Sequence, residues 1–309
     1  MHPLHLRRSP LVSFARRAER ADPRPPGSAI LEAHRRLHGA DHFVGGERPV
    51  IRRTEAGVTW LIHQAAHAYI AGKLAAHWVG TGDMALAPRD DLLIAATFHD
   101  AGWYAAERAP RVNGQGQPRT FTEMDLDEHF VIWRASIESV FAQSRYAALL
   151  TSLHCAALYA LRLRYLDDPP ADKRRIEAFL DERHAWQEAL IAALRDHPLY
   201  SWAVTPAALE ENLRLLQVWD YLSLLVCMGS VHEQALEDVP VERGERATLR
   251  VAADGLRGMA LDPFPLDEPL TVWIEARPVN KGVFASDAEL QDALQGVPYR
   301  PLAFEFVPL

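Results

Sequence analysis

The sequence predicts a mainly α-helical fold with a small antiparallel β-appendage at its C-terminal end. Apolar residues recur at helical spacing in successive segments between Trp60 and Met228. After Val239 the pattern changes to short β-branched or alternating stretches, which Pro and Gly clusters separate. The 309-residue chain is therefore divided into a weakly ordered extension (1–48), a helical domain (49–238) and a β-rich appendage (239–309).

Composition restricts the classes of function. With 49% hydrophobic and 24% charged residues, the chain resembles an ordinary soluble globular protein. A net charge of -8 argues against a nucleic-acid polymer or an anionic membrane as the partner. Cys155 and Cys227 lie in apolar stretches, so no disulfide framework is expected and a cytoplasmic location is predicted. The first 28 residues are rich in Arg and Pro, which favours a weakly ordered extension over a transit peptide.

Six longer helices are predicted in order along the chain, and each is supported by its apolar spacing or by its end residues. The first two begin at Trp60 and Asp90, and the second ends in the dipeptide His99-Asp100. The segment 107–122 contains Pro and Gly at several positions and is predicted to be a loop. The predicted helices are Trp60–Val79, Asp90–Phe98, Asp127–Gln143, Tyr146–Tyr165, Asp172–Arg195 and Pro206–Met228.

Three short strands and one short helix are predicted for the appendage. The strands are β-branched or alternate between apolar and polar residues, which is typical of a half-buried sheet. The strands are Ala247–Val251, Leu270–Glu275 and Leu302–Val307, and the helix is Asp287–Leu294.

Imidazole and carboxylate side chains occur on several of the predicted helices, each beside apolar residues that would bury it. These are the groups that bind a divalent transition metal, and a metal site needs such ligands to converge from different elements. We predict a site with His99 and Asp100 at its catalytic centre. The proposed metal ligands are His67, His99, Asp100, His154 and Asp220, with His129 completing a two-metal version.

Asp220 gives the clearest indication of a buried charge. It lies among Leu216, Trp219 and Leu222, and no Lys or Arg follows Arg214 in that helix. A carboxylate on an apolar face is costly unless it is paired or binds a metal. The alternative is an Asp that caps a neighbouring helix or pairs with an arginine from another element.

The remaining histidines have weaker support as ligands, because a hydrogen-bonded core histidine is the ordinary explanation. His63 is separated from His67 by one helical turn and faces the same point, so it is predicted to support the ligands. The histidines left outside the site are His77, His184, His197 and His232.

The ordered ligand set resembles the HD superfamily of metal-dependent phosphohydrolases. Its signature is a His, a His-Asp pair and a distant Asp on helices, and His67, His99-Asp100 and Asp220 match it. Two-metal members add two histidines in the interval where His129 and His154 lie. The segments HDAGW, DYLSLLVC and LDPFPL also resemble an HD-like bacterial family of unknown function, over about residues 50–309. The resemblance implies an HD-type helical domain.

The substrate-binding prediction follows from one difference between this sequence and the two-metal HD proteins. Many two-metal HD proteins continue the pair with Gly-Lys, whereas Trp103 follows Gly102 here. Without that lysine, the arginines of the adjacent loop, Arg108, Arg111 and Arg119, are the candidates for holding an anion. The alternative for each is a solvated loop residue. Trp103 is predicted to wall the pocket, although aromatic core packing is the more common role.

The first functional hypothesis is a metal-dependent phosphohydrolase that acts on a small anionic substrate with one or two divalent metal ions. Imidazole suits Fe, Mn, Zn, Co and Ni alike, so the ligands leave the metal open. A two-iron HD-type oxygenase would use the same ligands, and O2 consumption would distinguish it. The third hypothesis is a catalytically degenerate scaffold for sensing or protein binding. Substrate and oligomeric state are not predicted.

Overall fold

Helices packed on a seven-stranded curled sheet form a mixed α/β structure, so the prediction of a mainly α-helical fold is wrong. The computed structural model describes residues 50–82 and 84–309. The predicted extension, residues 1–48, lies outside the described residues. The error in fold class arose because strands at both ends of the described chain join one sheet, whereas the sequence patterns indicated strands only after residue 239.

The sheet has the spatial order β1-β2-β6-β7-β5-β4-β3. Neighbouring strands are antiparallel except for β5 and β7, which are parallel. The predicted boundary at 238/239 falls inside β3. The strands are β1 (Ile51–Glu55), β2 (Val58–Ile62), β3 (Gln234–Glu242), β4 (Glu245–Asp254), β5 (Gly258–Asp262), β6 (Leu270–Val279) and β7 (Arg300–Pro308).

The first two strands form a hairpin, and the second of them contains the predicted start of a helix, Trp60. Ala56 and Gly57 both have positive φ, 49° and 78°, as a two-residue turn with the twist of a hairpin requires. The following segment VTWLI is rich in β-branched and aromatic residues and pairs with both β1 and β6. The helix begins only at Gln64. The predicted start at Trp60 is therefore wrong, because Trp60 lies in β2, the strand that precedes the helix.

The helices predicted from Asp90 to Met228 are present, with ends that differ by a few residues. A short helix after the His-Asp pair was not predicted. The helices are α1 (Gln64–His77), α2 (Arg89–Phe98), α3 (Trp103–Glu107), α4 (Leu126–Phe141), α5 (Arg145–Tyr165), α6 (Pro170–Arg195), α7 (Pro206–Met228) and α8 (Asp287–Gln295). A 3₁₀ turn, Phe121–Glu123, follows the Arg-rich loop.

Several helix starts are fixed by side chains that accept a backbone N–H. Asp125, Ser144 and Thr205 cap α4, α5 and α7 in this way. Helix α7 ends at Gly229, which has a φ of 68°. These caps determine where the long helices begin, and therefore which of their residues face the interior.

One continuous apolar core joins the helices to the sheet. Val272, Ile274 and Ala276 alternate with exposed residues along β6, so one face of this strand is buried. Helix α7 packs against α1, α2, α5 and the strands β1 and β3, and it is buried along most of its length. Residues of α1, α2 and α5 can therefore meet those of α7 in the buried interior.

Helix α5 is long and apolar enough to cross a membrane by length and composition alone. However, 61% of its apolar window is buried inside the protein, and it contributes Tyr146, Leu149 and Leu150 to the core. This burial is consistent with the core helix of a soluble protein.

Candidate metal centre

Five of the six proposed metal ligands converge inside the helical layer. They come from α1, the end of α2, the middle of α5 and the middle of α7, and they form two overlapping groups whose ligand atoms lie within 4.8 Å of one another. All five side chains are buried. The five residues, called here the His/Asp cluster, are His67, His99, Asp100, His154 and Asp220.

Asp220 is the hub of the His/Asp cluster. Its Oδ1 lies 3.3 Å from Nε2 of His99 and 3.7 Å from Nδ1 of His67. Its Oδ2 lies 3.4 Å from Nε2 of His154. Burial alone would raise the pKa of Asp220, but His154 and His99 hold it well below its ordinary value. The carboxylate is therefore ionised in the interior.

Asp100 contacts the opposite side of the cluster. Its Oδ2 lies 2.8 Å from Nε2 of His67 and 3.7 Å from Nε2 of His99. Burial would raise the pKa of Asp100, but the two histidines lower it overall. The centre therefore holds two ionised carboxylates.

Ser223 orients His67 from one turn further along α7. Its hydroxyl donates to the carbonyl oxygen of Asp220 at 2.7 Å, so it accepts from Nδ1–H of His67 at 3.0 Å. Nε2 of His67 then faces the Asp100 carboxylate at 2.8 Å, where the two groups would share a metal ion. Such supporting hydrogen bonds are usual behind metal-bound imidazoles.

His99 is held in the same manner by the backbone. Its Nδ1 donates to the carbonyl oxygen of Ala96 at 3.0 Å, which directs Nε2 into the cluster. That Nε2 is buried and has no hydrogen-bond partner among the described residues, although two carboxylates lie near it. Burial lowers the pKa of His99, but Asp100 and Asp220 outweigh it and raise the pKa to about 9. Without a metal ion, His99 would therefore hold a proton at Nε2, the position that suits a metal cation.

The balance of charges in the His/Asp cluster also favours a bound metal cation. Within the described residues, the ion pairs of Asp100 and Asp220 are with histidines, and neither carboxylate contacts a Lys or Arg. Buried carboxylates require a compensating cation. Three imidazole nitrogens and two carboxylates are a donor set that suits a divalent transition metal. The residues present therefore fit a metal ion.

The two overlapping groups share His99 and favour one metal ion. Because Nδ1 of His99 already donates to Ala96, only Nε2 remains for coordination. A single nitrogen binds a single metal ion, so one ion shared by both groups is the simplest arrangement of the five ligands. The donor set does not select among Fe, Mn, Zn, Co and Ni.

His129 lies apart from the His/Asp cluster. Its Nδ1 is 2.7 Å from the hydroxyl of Tyr159, and its ring contacts Trp103. The ring of Trp133 contacts both His129 and His154, with centroid distances of 6.0 and 5.9 Å. The two histidines therefore share the Trp133 indole as a neighbour, but His129 belongs to neither potential metal group of the described residues.

The predicted anion-binding residues have different environments. Arg119 is buried, and its guanidinium donates to the carbonyl oxygen of Glu123 and lies 3.3 Å from Glu128. Nε of Arg111 lies 3.7 Å from Asp287 on α8. Arg108 is exposed at the end of α3. Trp103 is buried against Phe121 and His129. Arg119 therefore ties the loop to α4, and Arg108 remains accessible to a ligand.

The histidines outside the predicted site lie elsewhere. His77 contacts Asp267, His197 stacks near Tyr200, and His232 bonds to the carbonyl oxygen of Ser230. Burial lowers the pKa of His184. None of these four belongs to the potential metal groups of the described chain.

Gly102 sets the path of the chain after the His-Asp pair. A Cβ at this position would lie 2.2 Å from the carbonyl oxygen of Ile132 and 2.6 Å from the amide nitrogen of Ser136. The Gly102 amide also donates to the Ser136 hydroxyl at 2.9 Å. This close approach packs Gly102, two residues after Asp100, against the middle of α4.

The Gly102→Ala variant is expected to be less stable than the parent protein. A Gly→Ala change commonly stabilises a protein by about 0.4–1 kcal/mol where the backbone and the surroundings accept a methyl group. Where the added methyl group has no room, overpacking costs roughly 1–3 kcal/mol. A Cβ at Gly102 would lie 2.2 Å from a backbone oxygen, so overpacking is expected there. Urea unfolding should show a lower midpoint with an unchanged slope. Gly114→Ala is the control, because nothing lies within 4 Å of a Cβ there. Equal midpoints for the two variants would contradict the close-packing argument.

A cleft of about 650 Å³ opens beside the centre, between the first turn of α1, α3 and strand β6. His63, Glu107, Arg108 and Tyr299 line it, and no member of the His/Asp cluster does. Nδ1 of His63 lies 3.2 Å from the buried Glu107 carboxylate, and Nε2 lies 2.9 Å from the Tyr299 hydroxyl. The sequence indicated His63 through its spacing from His67, but nothing in the pattern indicated Glu107, Tyr299 or Ser223.

Comparison with known proteins corrects the family assignment. Residues 50–281 match the model of a family described as "Protein of unknown function (DUF3891)", and this range contains the whole His/Asp cluster. No curated protein and no solved structure gives a match. The expected membership of the HD superfamily is wrong, because the match is to this other family and the curled mixed sheet differs from a mainly helical domain. The chain belongs to the DUF3891 family.

Proposed function

We propose that this protein is a metal-dependent hydrolase that acts on a small anionic substrate, with a phosphate ester as the first candidate. The observation that carries the proposal is the buried centre of three histidines and two carboxylates, in which Nε2 of His99 has no hydrogen-bond partner among the described residues. The residues that would hold the ion are His67, His99, Asp100, His154 and Asp220.

A bound divalent metal would supply Lewis-acid activation of water and would offset negative charge that develops on the substrate. The chain's own residues supply orientation and proton transfer. Ala96 and Ser223 fix the tautomers of His99 and His67. Asp100 has the largest exposed fraction of the five, 6%, and its Oδ2 faces the histidines. Its Oδ1 is therefore the atom assigned to accept a proton from the attacking water.

Arg108 is the cation proposed to attract the anionic substrate. It is exposed at the end of α3, five residues after Trp103 and close in sequence to Asp100. Both described cysteines are free and buried. Free thiols fit a reducing compartment, so we propose a cytoplasmic location.

The test uses the full chain, purified without added metal. Elemental analysis gives the metal it carries, and chelation followed by addition of Mn, Fe(II), Co, Ni or Zn gives matched samples. Phosphate release from a panel of phosphomonoesters and phosphodiesters is expected only in a metal-loaded sample, and it should be lost in Asp220→Asn at the same protein concentration.

Two results would overturn the proposal. One is a loaded protein that consumes O2 with Fe(II) and releases no phosphate, which would assign an oxygenase. The other is a chain that binds none of the five metals, which would leave the His/Asp cluster as a hydrogen-bonded core and favour a sensing or protein-binding scaffold.

A further inference from the structure

The cleft beside the centre contains a second polar arrangement that the proposed hydrolysis does not use. Glu107 is only 3% exposed, and its Oε1 accepts from the backbone N–H of Gln64 at 2.6 Å. Its Oε2 lies 3.2 Å from Nδ1 of His63, and Nε2 of the same imidazole lies 2.9 Å from the Tyr299 hydroxyl. Helix α1, α3 and the segment before β7 are thereby joined across the cleft by three hydrogen bonds.

Two arginines face the same space. Cζ of Arg277 lies 4.3 Å from the centroid of the Tyr299 ring, a distance typical of a cation–π contact. Nε of Arg277 is buried and has no hydrogen-bond acceptor among the described residues. Arg277 as a whole is only partly buried and lines the cleft, so a ligand there can supply an acceptor to the rest of its guanidinium. Arg108 lines the opposite side of the cleft.

Aromatic rings form the exposed walls of the cleft. Trp273 is 61% exposed and Tyr104 is 68% exposed, and both line it. Trp273 projects from the face of β6 opposite to the buried Val272 and Ile274. Large exposed aromatic side chains around a concave surface mark ligand sites, and a volume of about 650 Å³ falls within the range of small-molecule pockets.

We propose that this cleft binds a small aromatic anion, at a site distinct from the His/Asp cluster. Arg277 holds the anionic group, because a guanidinium donates to phosphate or carboxylate oxygens. Trp273 and Tyr104 contact the planar ring. Glu275 lines the same cleft and opposes an anion, so it selects against a ligand with a large negative charge. The inference does not depend on hydrolysis, since no residue of the His/Asp cluster lines the cleft.

Phenylphosphonate is the probe, and binding to the full-length, metal-free chain is measured by calorimetry and ligand-observed NMR. It carries both a ring and an anionic group, whereas methylphosphonate lacks the ring and benzyl alcohol lacks the charge. Phenylphosphonate is expected to bind at least about tenfold more tightly than either comparison compound, because charge-assisted hydrogen bonds and ring contacts both contribute.

Variants locate the probe within the cleft. Arg277→Gln should weaken binding at least about tenfold, while Glu275→Gln, two residues away on the same strand face, should leave it unchanged or tighten it. Trp273→Ala should weaken binding several-fold. Trp202→Ala is the matched control, since Trp202 is also partly exposed, at 42%, and does not line the cleft. Circular dichroism and urea unfolding establish that each variant is folded.

The outcomes separate this site from the metal centre. Binding that survives Asp220→Asn and falls in Arg277→Gln supports the cleft. Binding that is lost in Asp220→Asn and unaffected by Arg277→Gln would place the probe at the His/Asp cluster and overturn the inference. Absence of phenylphosphonate binding in the millimolar range would overturn it as well, whereas the proposed hydrolase could still be active.

Discussion

Replacement of Asp220 by Asn should lower metal affinity by at least about a hundredfold, a loss larger than that caused by changes to groups behind metal ligands. Asp220 contacts three histidines through its two carboxylate oxygens. The amide keeps the shape of the side chain and removes its charge, so the apolar packing of α7 should be preserved. Equilibrium dialysis against each divalent metal, with elemental analysis of the retained protein, measures the effect.

Asp168→Asn is the matched control for this variant. Asp168 is also buried, and it pairs with Arg162 through two hydrogen bonds of 2.7 and 2.8 Å. The same chemical change there should lower stability without altering metal content. His129→Gln distinguishes one bound ion from two. With one ion at the His/Asp cluster, the metal content should stay at one ion per chain in this variant, whereas a second site at His129 would lose its ion. Unchanged metal affinity in Asp220→Asn would remove the His/Asp cluster as a metal site.

Metal loading should also raise the free energy of unfolding by a large amount. A ligand that binds only the native state stabilises it by about 4 kcal/mol at a thousandfold excess over Kd. The effect should be pronounced here because the ligands come from α1, the end of α2, α5 and α7, and an unfolded chain does not hold them together. Thermal unfolding of metal-free and metal-loaded protein should therefore differ by several degrees.

The increase should depend on metal concentration and should disappear in Asp220→Asn. Calcium, which prefers oxygen ligands, is the comparison cation and should stabilise the parent protein far less than Zn or Mn. An equal rise in the parent protein and in Asp220→Asn would mean that the metal acts at other sites, and the linkage to the His/Asp cluster would be rejected.

The long helices could be predicted from the sequence because their patterns are local. Ser144 and Thr205 cap α5 and α7, and the apolar periodicity of α7 extends over its full length. The sheet was only partly predictable. Strand β2 is five residues long and precedes α1 with only His63 between them, so its apolar residues merged with the helical pattern. Strand β5, with residues GMALD, is equally short and lacks alternation.

Five of the six proposed metal ligands lie together in space, although the fold that brings them together was not predicted. A carboxylate in an apolar helix, such as Asp220, and a His-Asp pair at a helix end indicate buried polar chemistry without knowledge of the sheet. Position in space could not be predicted in the same way. His129 is only partly buried, beside Trp133 and Tyr159, and its sequence context resembles that of His154, but it belongs to neither potential metal group. Tyr299 reaches His63 only because the sheet places β2, β6 and β7 side by side.

The pairing of β2 with β6 has a consequence for synthesis of the protein. Leu61 lies opposite Arg277, so almost the whole described chain separates two residues that are neighbours in the sheet. Contacts of this kind require closure of a long loop and slow the folding reaction. During translation, the hairpin of β1 and β2 emerges from the ribosome long before its partner strand and leaves one edge without its backbone hydrogen bonds. The nascent chain is therefore exposed to aggregation at that edge until β6 has been made.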